Sequence, residues 1–418
     1  MKKEDIYYDE IPSSIATFKS SLDKPVHRWF RLTPSYGAEL VNLVLDEIGH
    51  KDGEVVLDPY SGASTTLIEC KKKGIKSFGF EINPLLHFIG EARLGLDSDT
   101  VSLKSDLSKV KKLFKKIQKK YFSISIEESD LEIPPIHNPH RWWREDVLKD
   151  LLCLKRAIYE ADISLTSKNI FKVALAGVLV PDLSNVTLGK LQLHFIDRSS
   201  DEIDVESIFF NHAQSVVEDV SLLESSYFST ESNLFLTDAL NPETKGSLIK
   251  ADTVITSPPY VNRYSYVWNT RPHLFFLDIF TTPKESSQLD LKTVGGTWGT
   301  ATSILNKGVV TPEYDTVNKH VFEVSEKIRK ESNLMANYVV KYFNALANQI
   351  QSMDLYLNDD AKVAYVIGLS KISGIRVEAD LILAKMFEDF GYKKVKVRRF
   401  RKRNSGKDLF ESIVYGWK

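Results

Sequence analysis

Four consecutive residues, Ser257, Pro258, Pro259 and Tyr260, close the apolar run "ADTVIT" with a rigid corner. Proline lacks a backbone donor and fixes φ, so a Pro-Pro pair ends a strand and leaves carbonyls without ladder partners. With a serine hydroxyl beside them, the corner is rich in hydrogen-bond acceptors. A second constellation lies far upstream, in "LDPYSGASTTLIEC", which carries Asp58, Pro59, Tyr60, Gly62, Thr65 and Thr66. Small residues there let the backbone approach a ligand, and the helix that follows offers free N–H groups. Glu81 comes about twenty residues later, at a strand end where a carboxylate can take two hydrogen bonds from a ribose diol. Asp238, after "NLFLT", adds a further acceptor. Loop, acid and acid together describe a nucleoside pocket. The G-x-G-x-x-G spacing of a dinucleotide site is absent, and a loop that opens with an acid tolerates a cation better than a pyrophosphate. A sulfonium with an amino-acid tail fits that preference. Singly, each residue also has a structural use: Asp58 and Asp238 as caps, Gly62 as a loop glycine. Their joint spacing favours the pocket.

These groups need elements to place them, and the chain alternates strand-like with helix-like patterns, as a parallel α/β sheet does. The pattern predicts a helix over 36–49, a buried strand in "EVVLD", a helix in "TTLIECKKKG" and a strand in "SFGFE". Strands follow at 233–240 and 252–260, then a long helix at about 331–353, a strand at 362–370, a helix near 377–390, and closing strands near 393–401 and 411–416. Seven strands make one Rossmann-like, doubly wound sheet. Two stretches interrupt the rhythm. Residues 100–230 read as a mainly helical insertion, and 281–330, polar and containing "TVGGTWGT", as an extended loop beside the strand ends. The organisation expected is 1–99 for the cofactor motifs, 100–230 for the insertion and 231–418 for the catalytic corner and closing strands.

Composition narrows the class. The chain has 418 residues, 43% of them hydrophobic, which suffices for a large core. Its formal net charge of −1 argues against wholesale coating of nucleic acid. Basic residues still gather at 104–120 and 393–407, each explained equally well as a solvated face or as a phosphate contact. Apolar runs fall short of the roughly 20 residues a bilayer span needs, and the N-terminus lacks a signal-peptide core, so the expectation is a cytoplasmic protein without a membrane partner. Cys70 and Cys153 lack disulfide-framework or metal-ligand spacing.

The run "VVLDPYSGASTTLIEC" resembles motif I of the amino-methylating DNA methyltransferases, "FGFEINP" their motif II, "LFLTDAL" their motif III and "ITSPPY" their catalytic motif IV. The upstream "HRWFRLTPSYGAELV" is similar to the segment that closes over the methionine end of S-adenosylmethionine. The resemblance implies a class I methyltransferase sheet and S-adenosylmethionine as cofactor, with Asp58, Pro59, Tyr60 and Gly62 lining its site, and Thr65 and Thr66 meeting its carboxylate. It implies also that Glu81 holds the ribose, Ile82 packs on the adenine and Asp238 stands near the adenine amino group. Where the family commonly has a second glycine, this chain has Ser64.

An exocyclic amine on a nucleobase is a poor nucleophile because its lone pair is delocalised into the ring. Acceptors around its N–H groups draw the nitrogen toward tetrahedral geometry and aim the lone pair at a methyl carbon. Ser257 Oγ and the Pro258 carbonyl are the candidate acceptors, with Tyr260 stacking on a base that has left its duplex; neither a metal nor a covalent intermediate is required. Within the family, Ser-Pro-Pro-Tyr is more typical of cytosine N4 methylation than of adenine N6. The alternatives are adenine N6, guanine N2 in RNA, and a non-catalytic nucleic-acid-binding relative. The partner expected is double-stranded DNA, with a cognate restriction endonuclease as functional companion; oligomeric state is open. Sequence recognition is expected from the 100–230 insertion, with Arg141, Trp142, Trp143 and Arg144, and from the 281–330 segment. For "RWWR", one tryptophan is expected in the core and the arginines outward. Tyr264, Tyr266 and Trp268 alternate as a packed strand does.

Overall fold

The computed structural model describes residues 2–33, 35–96, 100–189, 192–244, 246, 249–296, 300–403 and 408–418. Short runs buried on both faces build the middle of its large sheet: β2 (Val56–Asp58) and β3 (Ser77–Glu81) have no exposed residue. Around them lie β1 (Ile6–Tyr8), β4 (Ser232–Leu236), β5 (Ala251–Thr256), β6 (Leu357–Gly368), β7 (Lys393–Lys402) and β8 (Phe410–Trp417). The order across the sheet is β1-β7-β8-β6-β5-β2-β3-β4. All neighbours run parallel except β8, which is antiparallel to both β6 and β7. From β2 the chain builds outward through β3 to β4, then returns to place β5 on the other side of β2, so the switch point lies between β2 and β5. In such sheets ligands bind beyond the carboxyl ends at that switch, and those two strands end in Asp58 and in Thr256, directly before Ser257. With the antiparallel β8 inserted beside the last parallel strands, this is the class I methyltransferase sheet expected from the sequence. All seven expected strands are present. The eighth, β1, is three residues long and mostly exposed, too short to leave a periodic signal.

The helices that position the site are α1 (Ala38–Ile48), α2 (Thr65–Lys72) and α3 (Pro84–Leu94). Beyond them come α4 (Thr100–Tyr121), α5 (Glu145–Glu160), α6 (Leu165–Leu179) and α7 (Val205–Ser221). Leu103, Leu107, Val110, Phe114 and Ile117 of α4 are buried, as their spacing requires. On the other side of the same helix Lys115 pairs with Glu206 at 2.6 Å. These helices share a continuous apolar core with Leu67, Ile68, Leu85 and Ile89 of α2 and α3, so the inserted segment is fused to one face of the sheet. The opposite face is covered by Asp315–Arg329, Asn333–Ser352 and Ala379–Asp389, packed around Tyr338, Phe343, Leu346 and Leu383.

Two expectations are corrected here. Residues 281–330 are not an extended loop: they contain the helices Pro283–Lys292, Thr300–Leu305 and Asp315–Arg329. Thr282 and Glu285 form a reciprocal capping box with Pro283 in the first turn, a helix-start signal that was legible as "TPKE". Residues 297–299, part of "TVGGTWGT", lie outside the described residues. Tyr264, Tyr266 and Trp268 are not on a strand, because Ser265 caps a helix at Tyr266–Phe276 by accepting from Trp268 N at 3.1 Å.

Candidate active site

Asp58 ends β2 buried, 1% exposed. It accepts from Thr256 Oγ1 at 2.6 Å, from Tyr60 N at 3.1 Å and from the Tyr36 hydroxyl at 3.2 Å. Burial pushes its carboxyl up to about 6 while these donors pull it back down. Asp58 thus ties the loop after β2 to the strand that delivers Ser257. In that loop Ser61 Oγ donates to the Asp58 carbonyl at 2.8 Å, and a Cβ on Gly79 of β3 would lie 2.1 Å from that hydroxyl, so position 79 must be glycine. Gly62 takes φ 50, a left-handed conformation that glycine adopts without penalty, and donates its N–H to Glu81 Oε2 at 2.7 Å. Asn83 N donates to Glu81 Oε1, also at 2.7 Å. Despite both donors, burial raises the Glu81 carboxyl to about 7.

These elements surround an open cavity lined by Pro59, Tyr60, Gly62, Glu81, Ile82, Asp238, Ser257 and Pro259. Eight sequence-predicted residues therefore meet in one cavity. Lys292, Thr293 and Val294 close its far side, and burial raises the Asp238 carboxyl, opposed by the Leu240 N–H and the Lys292 charge. A second cavity of about 1310 Å³ is lined by Ser257, Pro258 and Tyr260 together with Tyr264, Lys19, Arg401, Arg403 and Glu411. Ser257 and Tyr266 stand on the wall of both. The Ser257 side chain is in hydrogen-bond contact with the Tyr260 phenol, which burial holds well above its ordinary pKa. The Arg403 guanidinium sits 5.4 Å from the Tyr260 ring centre, and a Cβ on Gly368 would come within 2.6 Å of that ring.

Three expected site residues lie off the walls of these two cavities. Asp58 is behind the first and holds its loop. Thr66 is fully buried, its hydroxyl bonded to that of Tyr36 and 3.4 Å from the Ile255 carbonyl; neither contact leaves it facing a ligand. Thr65 lines a smaller neighbouring cavity, 3.3 Å from Ser35 Oγ. Ser64, the departure from the family pattern, takes φ 63, which explains why glycine is usual there. Its hydroxyl fits because residue 90 is glycine, where a Cβ would meet Ser64 Oγ at 2.3 Å.

Away from the site, both Trp142 and Trp143 are buried, not one. Arg141 is exposed as expected, with its guanidinium 3.9 Å from the Phe195 ring centre, whereas Arg144 is held by Asp146 and the Arg198 carbonyl. In the 393–407 patch, Arg398 pairs with Glu47 and Asp9, Arg399 with Asp380, and Arg401 with Glu411; residues 404–407 lie outside the described residues. Sequence reasoning missed Thr256, whose hydroxyl is the link to Asp58, and Tyr266, whose helix was misread. It missed also the Lys292–Val294 wall.

No family model matches the sequence. Type II methyltransferase M.BsoBI of Geobacillus stearothermophilus is 22% identical, over 93% of this chain and 83% of its own length. Type II methyltransferase M.AvaI of Nostoc sp. is 23% identical over 98% of this chain and 90% of its own. The chain is similar to the type II methyltransferases. A third such relative, M.MvaI of Kocuria varians, is 22% identical over 83% of this chain and 79% of its own, in keeping with the amino-methyltransferase motifs. Among solved structures, an rRNA methyltransferase from Streptomyces viridochromogenes covers 96% of this chain and 92% of its own at 10% identity, with a TM-score of 0.35. No helix among the described residues is long and apolar enough to cross a membrane.

Proposed function

We propose that the protein is a site-specific DNA methyltransferase that transfers a methyl group from S-adenosylmethionine to N4 of a cytosine flipped out of duplex DNA. The observation that carries this reading is that Ser257 lies on the wall shared by two cavities, one lined by Glu81, Ile82 and Asp238 and the other by Pro258 and Tyr260. The first cavity fits the cofactor: Glu81 offers carboxylate oxygens for a ribose diol, Ile82 an apolar surface for adenine, Asp238 an acceptor, and Gly62 a close backbone approach. S-adenosylmethionine supplies, when bound, an electrophilic methyl carbon. The chain's own residues do the rest. The base enters the second cavity against Tyr260, and Ser257 Oγ with the Pro258 carbonyl accepts from the exocyclic amine, directing its lone pair toward the first cavity. The proton the nitrogen releases leaves along those same acceptors to solvent. Asp58, bonded to both Tyr60 N and Thr256, keeps the two cavities in register.

A neutral serine acceptor favours cytosine N4 over adenine N6, which the same frame could orient. The insertion at 100–230 and the helical segment at 281–330 are the candidates we assign to reading flanking sequence. The relatives' designation as type II methyltransferases supports a role beside a cognate restriction endonuclease, and a DNA substrate is consistent with a cytoplasmic location. The test is tritium transfer from labelled S-adenosylmethionine to unmethylated duplex DNA, followed by nucleoside digestion and mass spectrometry. N4-methylcytosine is expected; N6-methyladenine would overturn the base assignment, and label in RNA alone would overturn the DNA substrate.

A further inference from the structure

The turn that follows Tyr260 is fixed at several points. Asn262 N donates to the Tyr260 carbonyl at 2.7 Å. Arg263 takes φ 59, and its N–H donates to the hydroxyl of the buried Tyr338 at 3.0 Å. A left-handed backbone is costly for an arginine and persists only where the surroundings determine it. The side chain this rigid turn presents is that of Asn262, half-buried on the wall of the second cavity with Ser257, Pro258 and Tyr260.

Its neighbours decide which way that amide points. Tyr264 N donates to Asn262 Oδ1 at 3.3 Å. An amide nitrogen cannot accept that bond, so the oxygen faces into the turn and the NH₂ group faces away from it. Among the described residues Asn262 Nδ2 has no partner. Other donors on the same wall are engaged: Arg401 donates Nε and Nη2 to Glu411, Arg403 donates Nη1 to the Leu369 carbonyl at 2.6 Å, and the Tyr36 hydroxyl is bonded to Asp58 and Thr66. Asn262 is thus a neutral donor, held in place and unmatched within the protein, in the cavity where Ser257 and the Pro258 carbonyl are the acceptors. An amine-bearing nucleobase has the complementary edge. Its exocyclic amine, a donor, lies next to a ring nitrogen that accepts: N4 beside N3 in cytosine, N6 beside N1 in adenine.

We propose that Asn262 Nδ2 donates to that ring nitrogen of the flipped base, N3 of cytosine, while Ser257 and Pro258 hold the amine beside it. This rests on the methyltransferase reading and adds to it a base contact outside the four residues of the catalytic corner. Acceptors on the amine alone leave the ring free to swing about that point on the Tyr260 platform. A donor on the neighbouring nitrogen removes the swing and fixes the direction of the lone pair. The same donor opposes thymine and uracil, whose N3–H would face another N–H.

Asn262→Asp separates this contact from the turn, because aspartate keeps an oxygen for the Tyr264 N–H and replaces only the donor. The assay is single-turnover methyl transfer by the full chain, at saturating S-adenosylmethionine, to duplexes that carry cytosine or 3-deazacytosine at the methylated position. The analogue keeps the amine and has C–H in place of N3. With cytosine the variant should be about 10-fold or more slower than the wild type. With 3-deazacytosine the two proteins should agree within about threefold, since no acceptor is left to lose. An equal penalty on both bases overturns the contact and leaves Asn262 a turn residue, as does no penalty on either. Should the wild type methylate adenine instead, the cytosine assignment falls, and adenine against 1-deazaadenine in the same comparison decides for Asn262. Transfer to no DNA base by the wild type removes the methyltransferase reading and the contact together. If Asn262→Asp does not fold by circular dichroism, Asn262→Ala takes its place with the same outcomes.

Discussion

Ser64→Gly should stabilise the protein, although it deletes a buried side chain. Ser64 has φ 63 and ψ 31, a left-handed conformation that costs an L residue about 1–2 kcal/mol. Its hydroxyl is fully buried and without a partner, a further cost of about 1–3 kcal/mol. Glycine loses more chain entropy on folding, about 0.5–1 kcal/mol, and the contacts of two side-chain atoms disappear, at about 0.1–0.2 kcal/mol per atom pair. The balance is a gain of about 1–2 kcal/mol. With an unfolding entropy of about 2.1 cal/mol/K per residue, a chain of this length should melt about 1–2 °C higher. The assay is differential scanning calorimetry with parallel urea titrations, where the midpoint should rise at unchanged slope. Gly90→Ala is the partner experiment. Its new Cβ would stand 2.3 Å from Ser64 Oγ and 2.4 Å from Leu234 Cδ2, so it should destabilise by about 1–3 kcal/mol. In the Ser64→Gly background part of that loss should be recovered, a coupling of at least about 0.5 kcal/mol. A lower melting temperature for Ser64→Gly would refute the reasoning, and strictly additive variants would show that the two side chains do not compete for the same space.

Three further outcomes are expected. Ser257→Ala should lower the single-turnover rate of methyl transfer about 10²-fold or more while S-adenosylmethionine binds within about twofold of wild type; an unchanged rate would take the serine out of its role. Glu81, with its carboxyl raised to about 7, is ionised above that pH and neutral below it, so cofactor affinity measured by calorimetry should fall by up to about 10-fold from pH 8 to pH 6. Glu81→Gln should flatten that dependence, and a wild-type affinity constant across the range would refute it. Gly368→Ala would bring a Cβ within 2.6 Å of the Tyr260 ring, so methyl transfer to DNA should drop more than about 10-fold through the displaced platform; a matching loss of cofactor affinity would count against two separate cavities.

The sheet was legible because its central strands are apolar runs buried on both faces and bounded by polar turns, a pattern that periodicity reports directly. Glu81 and Asp238 were legible for a related reason: each sits where such a run stops. What stayed hidden depended on partners far apart in the chain. Thr256 looked like the last apolar-strand residue, and only the fold brings its hydroxyl 2.6 Å from Asp58. Thr66 looked as available as Thr65, yet one helical step turns it inward to Tyr36 and the Ile255 carbonyl. Helix Pro283–Lys292 was lost to its polar composition although its capping box was written in the sequence.

The position of Asp58 has a thermodynamic consequence. One carboxylate accepts from the backbone of the loop that meets the cofactor and from the hydroxyl directly before the catalytic corner, so the two half-sites share a single buried anchor. A ligand that orders the loop orders the corner as well, and the ordering is reciprocal: whatever factor the cofactor contributes to the affinity for DNA, DNA must return to the affinity for the cofactor. On the proposed function, methyl donor and acceptor are then effectors of one another, coupled through the buried Asp58 carboxylate.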